Sequence, residues 1–191
     1  MTVKLKPSKY QQGFTLIELV LGMTVMVVVI GFMMVAMLPK EQESADQIHL
    51  IQATELAQSF VNEITAKAFD ENSDMSGGLI RCNETGGSAC TSSNSLGAEE
   101  LVRSLYDDVD DYDGLNSSVN DLEDSLGSSI EDIYHNFHVQ VSVYYDNNYD
   151  GIADSYDGTL DNSILVKLIT ITVTTPLDTR IAFAVYKANI E

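Results

Sequence analysis

The chain reads as an α+β protein, a long amino-terminal helix followed by a carboxyl-terminal antiparallel sheet. Three observations predict this. Twenty residues without a charge, Leu19 to Leu38, lie near the amino terminus. An apolar stripe at helical spacing follows, carried by Leu50, Ala53, Ala57, Val61, Ile64 and Ala68. The last third switches to strict two-residue alternation, the mark of half-buried strands. Helical pattern first and strands last is an α+β order, not that of alternating βαβ units.

The amino-terminal run comes first. A helix of twenty residues spans ~30 Å, about one bilayer core. Residues 1–13 hold Lys4, Lys6 and Lys9 and no acid, whereas Lys40, Glu41 and Glu43 follow the run. The positive-inside rule keeps residues 1–13 in the cytoplasm and sends the body outward. A cleaved secretory signal fits poorly, because its apolar core is shorter and a small-x-small site follows it. Here Pro39-Lys40-Glu41 follows. On hydropathy alone a plain signal anchor remains an alternative.

Net charge excludes one class of function. The 191 residues carry 10 Lys+Arg against 29 Asp+Glu, a net charge of -19. A nucleic-acid binder needs a basic footprint, which this chain lacks. An acidic body suits solubility, cation binding or a basic neighbour.

Glu18 opens the apolar run, and a carboxylate at membrane depth is costly without a partner. The string Gln12-Gly13-Phe14-Thr15-Leu16-Ile17-Glu18-Leu19 resembles the type III signal of type IV pilins and pseudopilins. Glycine, aromatic, threonine, leucine and glutamate fall in register ahead of a long apolar helix. The resemblance implies a type IV pilin-like fold and cleavage after Gly13 by a membrane-embedded prepilin peptidase, which then N-methylates Phe14. It also gives Glu18 a role in assembly. Its carboxylate would pair with the Phe14 ammonium of an adjacent subunit, so that two costly charges neutralise each other in an apolar filament core. Without that resemblance, Glu18 reads as a side chain snorkelling at the interface. Implied partners are major and minor pilins, joined through the amino-terminal helix, and an inner-membrane assembly platform. The implied location is a single pass of the inner membrane with a periplasmic body, then an extracellular pilus.

On this reading the chain divides into a leader at 1–13, a membrane and filament-core helix at 14–39, and an amphipathic helix at 40–70. An acidic variable region at 71–136 and a sheet at 137–191 complete it. Gly22 and Gly31 allow close helix approach within the span. Pro39 removes a backbone donor just after it. The amphipathic half of this long helix is expected to end near Asp70, ahead of Asn72, Ser73, Asp74 and Gly77-Gly78.

In the variable region, Cys82 and Cys90 flank a short Gly/Ser loop without metal-site spacing, so an exported body would close them as a disulfide. Residues 99–133 hold twelve acids and a single base, Arg103. Leu122, Leu126, Ile130 and Ile133 permit a further helix starting near Asn120 or Asp121. The run Asp107-Asp108-Val109-Asp110-Asp111-Tyr112-Asp113-Gly114 reads as a solvated or partner-facing loop. That run, the Phe69-Asp70-Glu71-Asn72 start and the Cys82/Cys90 loop resemble segments of MshD-type minor pilins of mannose-sensitive haemagglutinin pili.

Three strands end the chain. Phe137, Val139, Val141, Val143 and Tyr145 alternate with polar residues, as do Ile169, Ile171 and Val173, then Ile181, Phe183 and Val185. Pro176-Leu177-Asp178-Thr179 links the last two. Between the first two runs a twelve-residue loop with oxygen ligands at positions 1, 3, 5, 9 and 12, namely Asp146, Asn148, Asp150, Asp154 and Asp157. Gly151 holds position 6, and Ile152 at position 7 offers a carbonyl. This is the ligand pattern of a Ca²⁺ loop. An exposed Asx- and Gly-rich turn is the alternative.

Function reads as structural: a minor pilin that is incorporated into, primes or caps a type IV pilus and supports assembly and adhesion. A type II secretion pseudopilin shares the same leader. A calcium-dependent tip adhesin is a third reading, with Tyr144, Tyr145, Tyr149 and Tyr156 around the loop to meet a surface glycan or receptor. An enzyme is not expected, since His135 and His138 make only HxxH and on a strand would face opposite ways.

Overall fold

The computed structural model describes residues 13, 15–73, 80–117 and 122–190, and of 38–45 the backbone alone. The cationic leader, Phe14, the Gly77-Gly78 pair and the expected helix start at Asn120 or Asp121 lie outside the described residues.

One helix, α1 (Leu16–Ala66), runs for 51 residues. The membrane and amphipathic halves are thus one continuous helix, as expected, and it runs through Pro39. The chain forms two compact units, Met1–Ala45 and Asp46–Glu191.

In the first unit the side chains from Leu16 to Met37 are all exposed. This stretch of 22 residues, whose most apolar 18 residues have a mean hydropathy of 2.7, is long and apolar enough to cross a membrane. It is apolar all round, so no sheet face of the usual size would satisfy it.

In the second unit α1 becomes one-faced. Ala53, Leu56, Ala57, Phe60 and Ile64 are buried, whereas Glu55, Gln58 and Asn62 are exposed. Leu56 was not part of the stripe read from the sequence, and Leu50 is only half-buried. The helix stops at Ala66, short of Asp70, because the chain then turns to bridge Ala68 with Asp108.

The sheet is antiparallel throughout, in the order β1 (Asn116–Ser117), β2 (His138–Tyr145), β3 (Val166–Thr174), β4 (Arg180–Ala188). Alternation places the apolar residues of β2 and β3 on one face, in register: Val141 opposite Ile171, and Ile171 opposite Phe183. That face packs on the buried stripe of α1 in a single core closed by Val109, Tyr112 and Phe137. Gln140, Ser142, Thr170 and Thr172 face the other way, which leaves that face polar. The two-residue β1 comes from within the variable region and was not expected.

Two further expectations fail. Residues 122–133 form no helix: Glu123 bridges Ser129, and Asp124 Oδ1 accepts the N–H groups of Leu126 and Ser128. Gly127 sits at φ 78°, a left-handed turn that a helix interior excludes. Leu122 is buried and Leu126 is 82 % exposed, so their four-residue spacing is coincidental. The acidic run at 107–114 is not a solvated loop either. Asp108, Asp110 and Asp111 are buried, in and beside a short 3-10 turn at Asp110–Tyr112.

A smaller second core lies at the opposite end of α1's buried stripe from Ala53. The expected disulfide Cys82–Cys90 is formed, with Cα atoms 4.9 Å apart, and packs with Phe69, Tyr145, Tyr156 and Leu165. Asn83 ties this loop to the β2–β3 connection, donating to Asp161 Oδ1 (2.7 Å) and to Ser163 O (3.0 Å).

Candidate functional site

The first candidate site is the amino-terminal turn of α1. Thr15 O accepts the N–H groups of Glu18 (3.1 Å) and Leu19 (3.2 Å), which sets Glu18 in the first turn of the helix. An acid there complements the positive helix end. Gly13 is exposed, and a Cβ placed on Gly13, Gly22 or Gly31 would meet nothing within 4 Å. The fold of this chain does not itself require glycine at these three positions.

The second site is buried and was missed by the sequence reading. One inward row of the sheet consists of Tyr145, Lys167 and Lys187, paired across β2, β3 and β4. It lies at the carboxyl-terminal end of α1. Lys187 donates to Thr65 O and Lys67 O, the unsatisfied carbonyls of that end. Burial, and then the neighbouring Lys167, lower the Lys187 amine to about 8. Lys167 is fully buried and donates to Phe69 O (2.6 Å) and to Asp110 Oδ1 (2.8 Å), with Asp70 Oδ2 at 3.5 Å. Its Nζ lies 4.5 Å from the Phe69 ring centroid and 5.4 Å from that of Tyr145.

The acids here are placed by backbone bonds. Asp70 accepts from the N–H groups of Asn72 and Thr91, and Asp111 from those of Asp107 and Asp108. Asp108 Oδ1 accepts from Asp111 N, whereas the buried Asp108 Oδ2 has no partner. Burial, reinforced by the adjacent Asp110, raises the Asp108 carboxyl to about 9. A proton on Asp108, shared toward Asp110, satisfies the atom that is otherwise orphaned. One signal was readable in the sequence: Lys167 falls two residues before Ile169, in phase with the inward apolar set.

A third contact fastens the variable region to α1. Glu63 accepts from Arg103 (2.6 Å) and from the Tyr112 hydroxyl (2.7 Å), while the Arg103 guanidinium lies 4.2 Å over the Phe60 ring. The single base of residues 99–133 is thus used on the helix.

The calcium-like loop is well formed. Asp146 Oδ1 accepts Asp150 N (3.0 Å) and Asp146 Oδ2 accepts Gly151 N (2.9 Å) and the Tyr186 hydroxyl (2.7 Å). Asn148 Oδ1 accepts Asp150 N, and Asp150 Oδ1 accepts Ile152 N. Tyr149 and Gly151 turn the chain at φ 61° and 78°. Burial opposes ionisation of Asp146, but hydrogen bonds from Tyr186, Gly151 and Asp150 outweigh it and hold the carboxyl below the usual range. In return the Tyr186 phenol is pushed up to about 12. Asp154 Oδ2 accepts Asn147 N, and Asp157 is engaged by the Thr159 amide and hydroxyl. Asp146, Asn148 and Asp150 therefore share one turn, and their hard oxygens suit Ca²⁺. Asp157 is occupied outside it. Among the described residues, carboxylates within 4.8 Å of one another in groups of three are Glu71, Glu99 and Asp108, and Glu99, Glu100 and Asp111, not those of this loop.

Of the tyrosines expected around the loop, Tyr145 and Tyr156 belong to the second core. Tyr149 is exposed and packs edge-on against Tyr186, with ring centroids 4.9 Å apart.

Residues 8–34 match the family model described as the prokaryotic N-terminal methylation motif. The match contains Gly13, Glu18 and most of the apolar stretch, and ends before the second unit begins. No curated protein and no solved structure matches the chain.

The buried Asp108 predicts an inverted pH response. Its folded value of about 9 lies above the ordinary 3.8, so between those values the folded chain holds a proton that the unfolded chain has lost. Stability from this group is complete below the unfolded value and is lost as pH rises through the folded one. Asp108→Asn, which keeps the shape of the protonated acid, should flatten the fall in denaturation midpoint between about pH 5 and pH 9. An unchanged pH profile in the variant would contradict the assignment.

Proposed function

We propose that this chain is a minor pilin. Prepilin peptidase cuts it between Gly13 and Phe14 and methylates the Phe14 amine. The stretch Leu16–Met37 holds the subunit in the inner membrane with its body in the periplasm. The assembly platform then moves it into a type IV pilus, where it joins other pilins through the amino-terminal helix and primes, caps or interrupts the filament. Its work is structural, not enzymatic.

One observation carries this reading. The methylation motif runs directly into a helix that from Leu16 to Met37 is apolar except at Glu18 and Thr24 and exposed on every side. Lipid satisfies such a surface before assembly, and the equivalent helices of neighbours satisfy it afterwards. Gly22 and Gly31, which meet nothing within their own chain, are then the places of close helix approach. Glu18 is the one ionisable group of the span, and the Phe14 ammonium of a neighbour is its counter-charge.

In cells, Gly13→Val should leave the leader attached, read as slower migration in an immunoblot. Glu18→Ala should be cleaved normally yet be depleted from sheared filaments. Wild-type cleavage and incorporation of both variants would contradict the proposal.

The same reading gives the loop after β2 a stabilising ion. Asp146, Asn148 and Asp150, with Asp154 and the Ile152 carbonyl beside them, would hold Ca²⁺, and ordering Asp157 as the last ligand would require it to leave Thr159. Extracellular Ca²⁺ modules bind at roughly 10⁻⁴–10⁻³ M. Millimolar Ca²⁺ should raise the melting temperature of the detergent-solubilised protein, and Asp150→Ala should abolish the rise. No calorimetric heat and no rise in the wild type would remove the ion from the account.

A further inference from the structure

We propose that Lys167 and Asp110 are joined by an intramolecular amide bond, formed spontaneously once the body has folded. Such a bond would tie β3 covalently to the 3-10 turn at Asp110–Tyr112.

The reacting groups are already in contact. Lys167 Nζ lies 2.8 Å from Asp110 Oδ1, and both side chains are almost wholly withdrawn from solvent. The site excludes water, with the Phe69 and Tyr145 rings beside the amine. In such surroundings an ion pair loses much of its advantage over neutral products, and hydrolysis of a bond once formed is suppressed.

Of the two nearby carboxylates, Asp110 is the partner. Asp70 is farther, at 3.5 Å, and both of its oxygens are engaged by backbone N–H groups, of Asn72 and Thr91. That carboxylate holds the loop and orients the amine. Asp110 instead adjoins Asp108, whose buried Oδ2 has no partner. Burial, with Asp110 as a neighbour, keeps a proton on Asp108, so the site contains its own acid two residues from the reacting carboxyl.

The step balances without any co-reactant. The Lys167 ammonium passes one proton to the Asp110 carboxylate, which leaves an amine beside a neutral carboxyl. The amine nitrogen attacks Asp110 Cγ, forming the C–N bond. The C–OH bond then breaks, and the departing oxygen takes the Asp108 proton and leaves as water. The second nitrogen proton returns to Asp108. One N–H remains on the amide, able to donate to Phe69 O or Asp70. An ammonium and a carboxylate become a neutral amide and water, so the net charge of the buried set is unchanged.

Intact mass spectrometry of the full-length protein, purified in detergent and reduced at its disulfide, tests this. The expected mass is lower than that of the sequence by one water. Digestion after glutamate should leave peptides 101–123 and 132–191 joined, and trypsin should fail to cut after Lys167. Lys167→Arg should restore the full mass, and Asp108→Ala should leave most of the population unlinked. A wild-type mass equal to the sequence would overturn the proposal, whether or not any variant folds. So would a water loss confined to one linear peptide, the sign of succinimide formation at Asp113-Gly114 or Asp150-Gly151.

Discussion

A single helix has to live in two environments, and the rest of the molecule follows from that constraint. From Leu16 to Met37, α1 exposes apolar side chains in every direction. From Ala53 to Ile64 it exposes polar ones and buries a single stripe. The first pattern is stable only where water is absent, in lipid or among similar helices. The second needs one apolar face to cover it, which the alternating residues of β2, β3 and β4 provide.

The body closes around charge as much as around apolar surface. The chain has only 10 basic residues against 29 acidic ones, and several of the bases are spent inward. Lys187 meets the carbonyls that end α1, Lys167 meets Asp70 and Asp110, and Arg103 meets Glu63. Breaking a buried pair by removing one partner typically costs ~3–5 kcal/mol, since the other charge is left stranded. These contacts link the helix end, the disulfide loop, the acidic turn and the sheet. The variable region is therefore fastened to the helix and sheet by specific ionic contacts, not laid loosely over them.

Much of this layout could be read in the sequence because its signals are periodic. Twenty uncharged residues, a stripe at three- and four-residue spacing and alternation at Val139, Val141 and Val143 each report a local rule. So did the Cys82/Cys90 pair once export was inferred. The failures share a cause. Asp108, Asp110 and Asp111 look solvated because acids usually are, but Lys167 meets Asp110 inside and backbone N–H groups take up the carboxylates of Asp108 and Asp111. Leu122 and Leu126 mimic helical spacing, but Gly127 and the Asp124 turn override it. β1 is two residues long and carries no periodicity at all. The amino-terminal motif was legible for a different reason: it is a run of contiguous residues, so its information does not depend on folding.

On the proposed reading, the Gly13–Phe14 peptide bond divides a lipid-held precursor from a polymerisable subunit. Mass spectrometry of the amino-terminal peptide, taken from sheared filaments and from membranes of the same cells, tests it most directly. The filament peptide should begin at Phe14 and carry a methyl group on its amine, with the leader present only in membrane precursor. A filament peptide that retains residues 1–13, or that begins elsewhere with an unmodified amine, would contradict it.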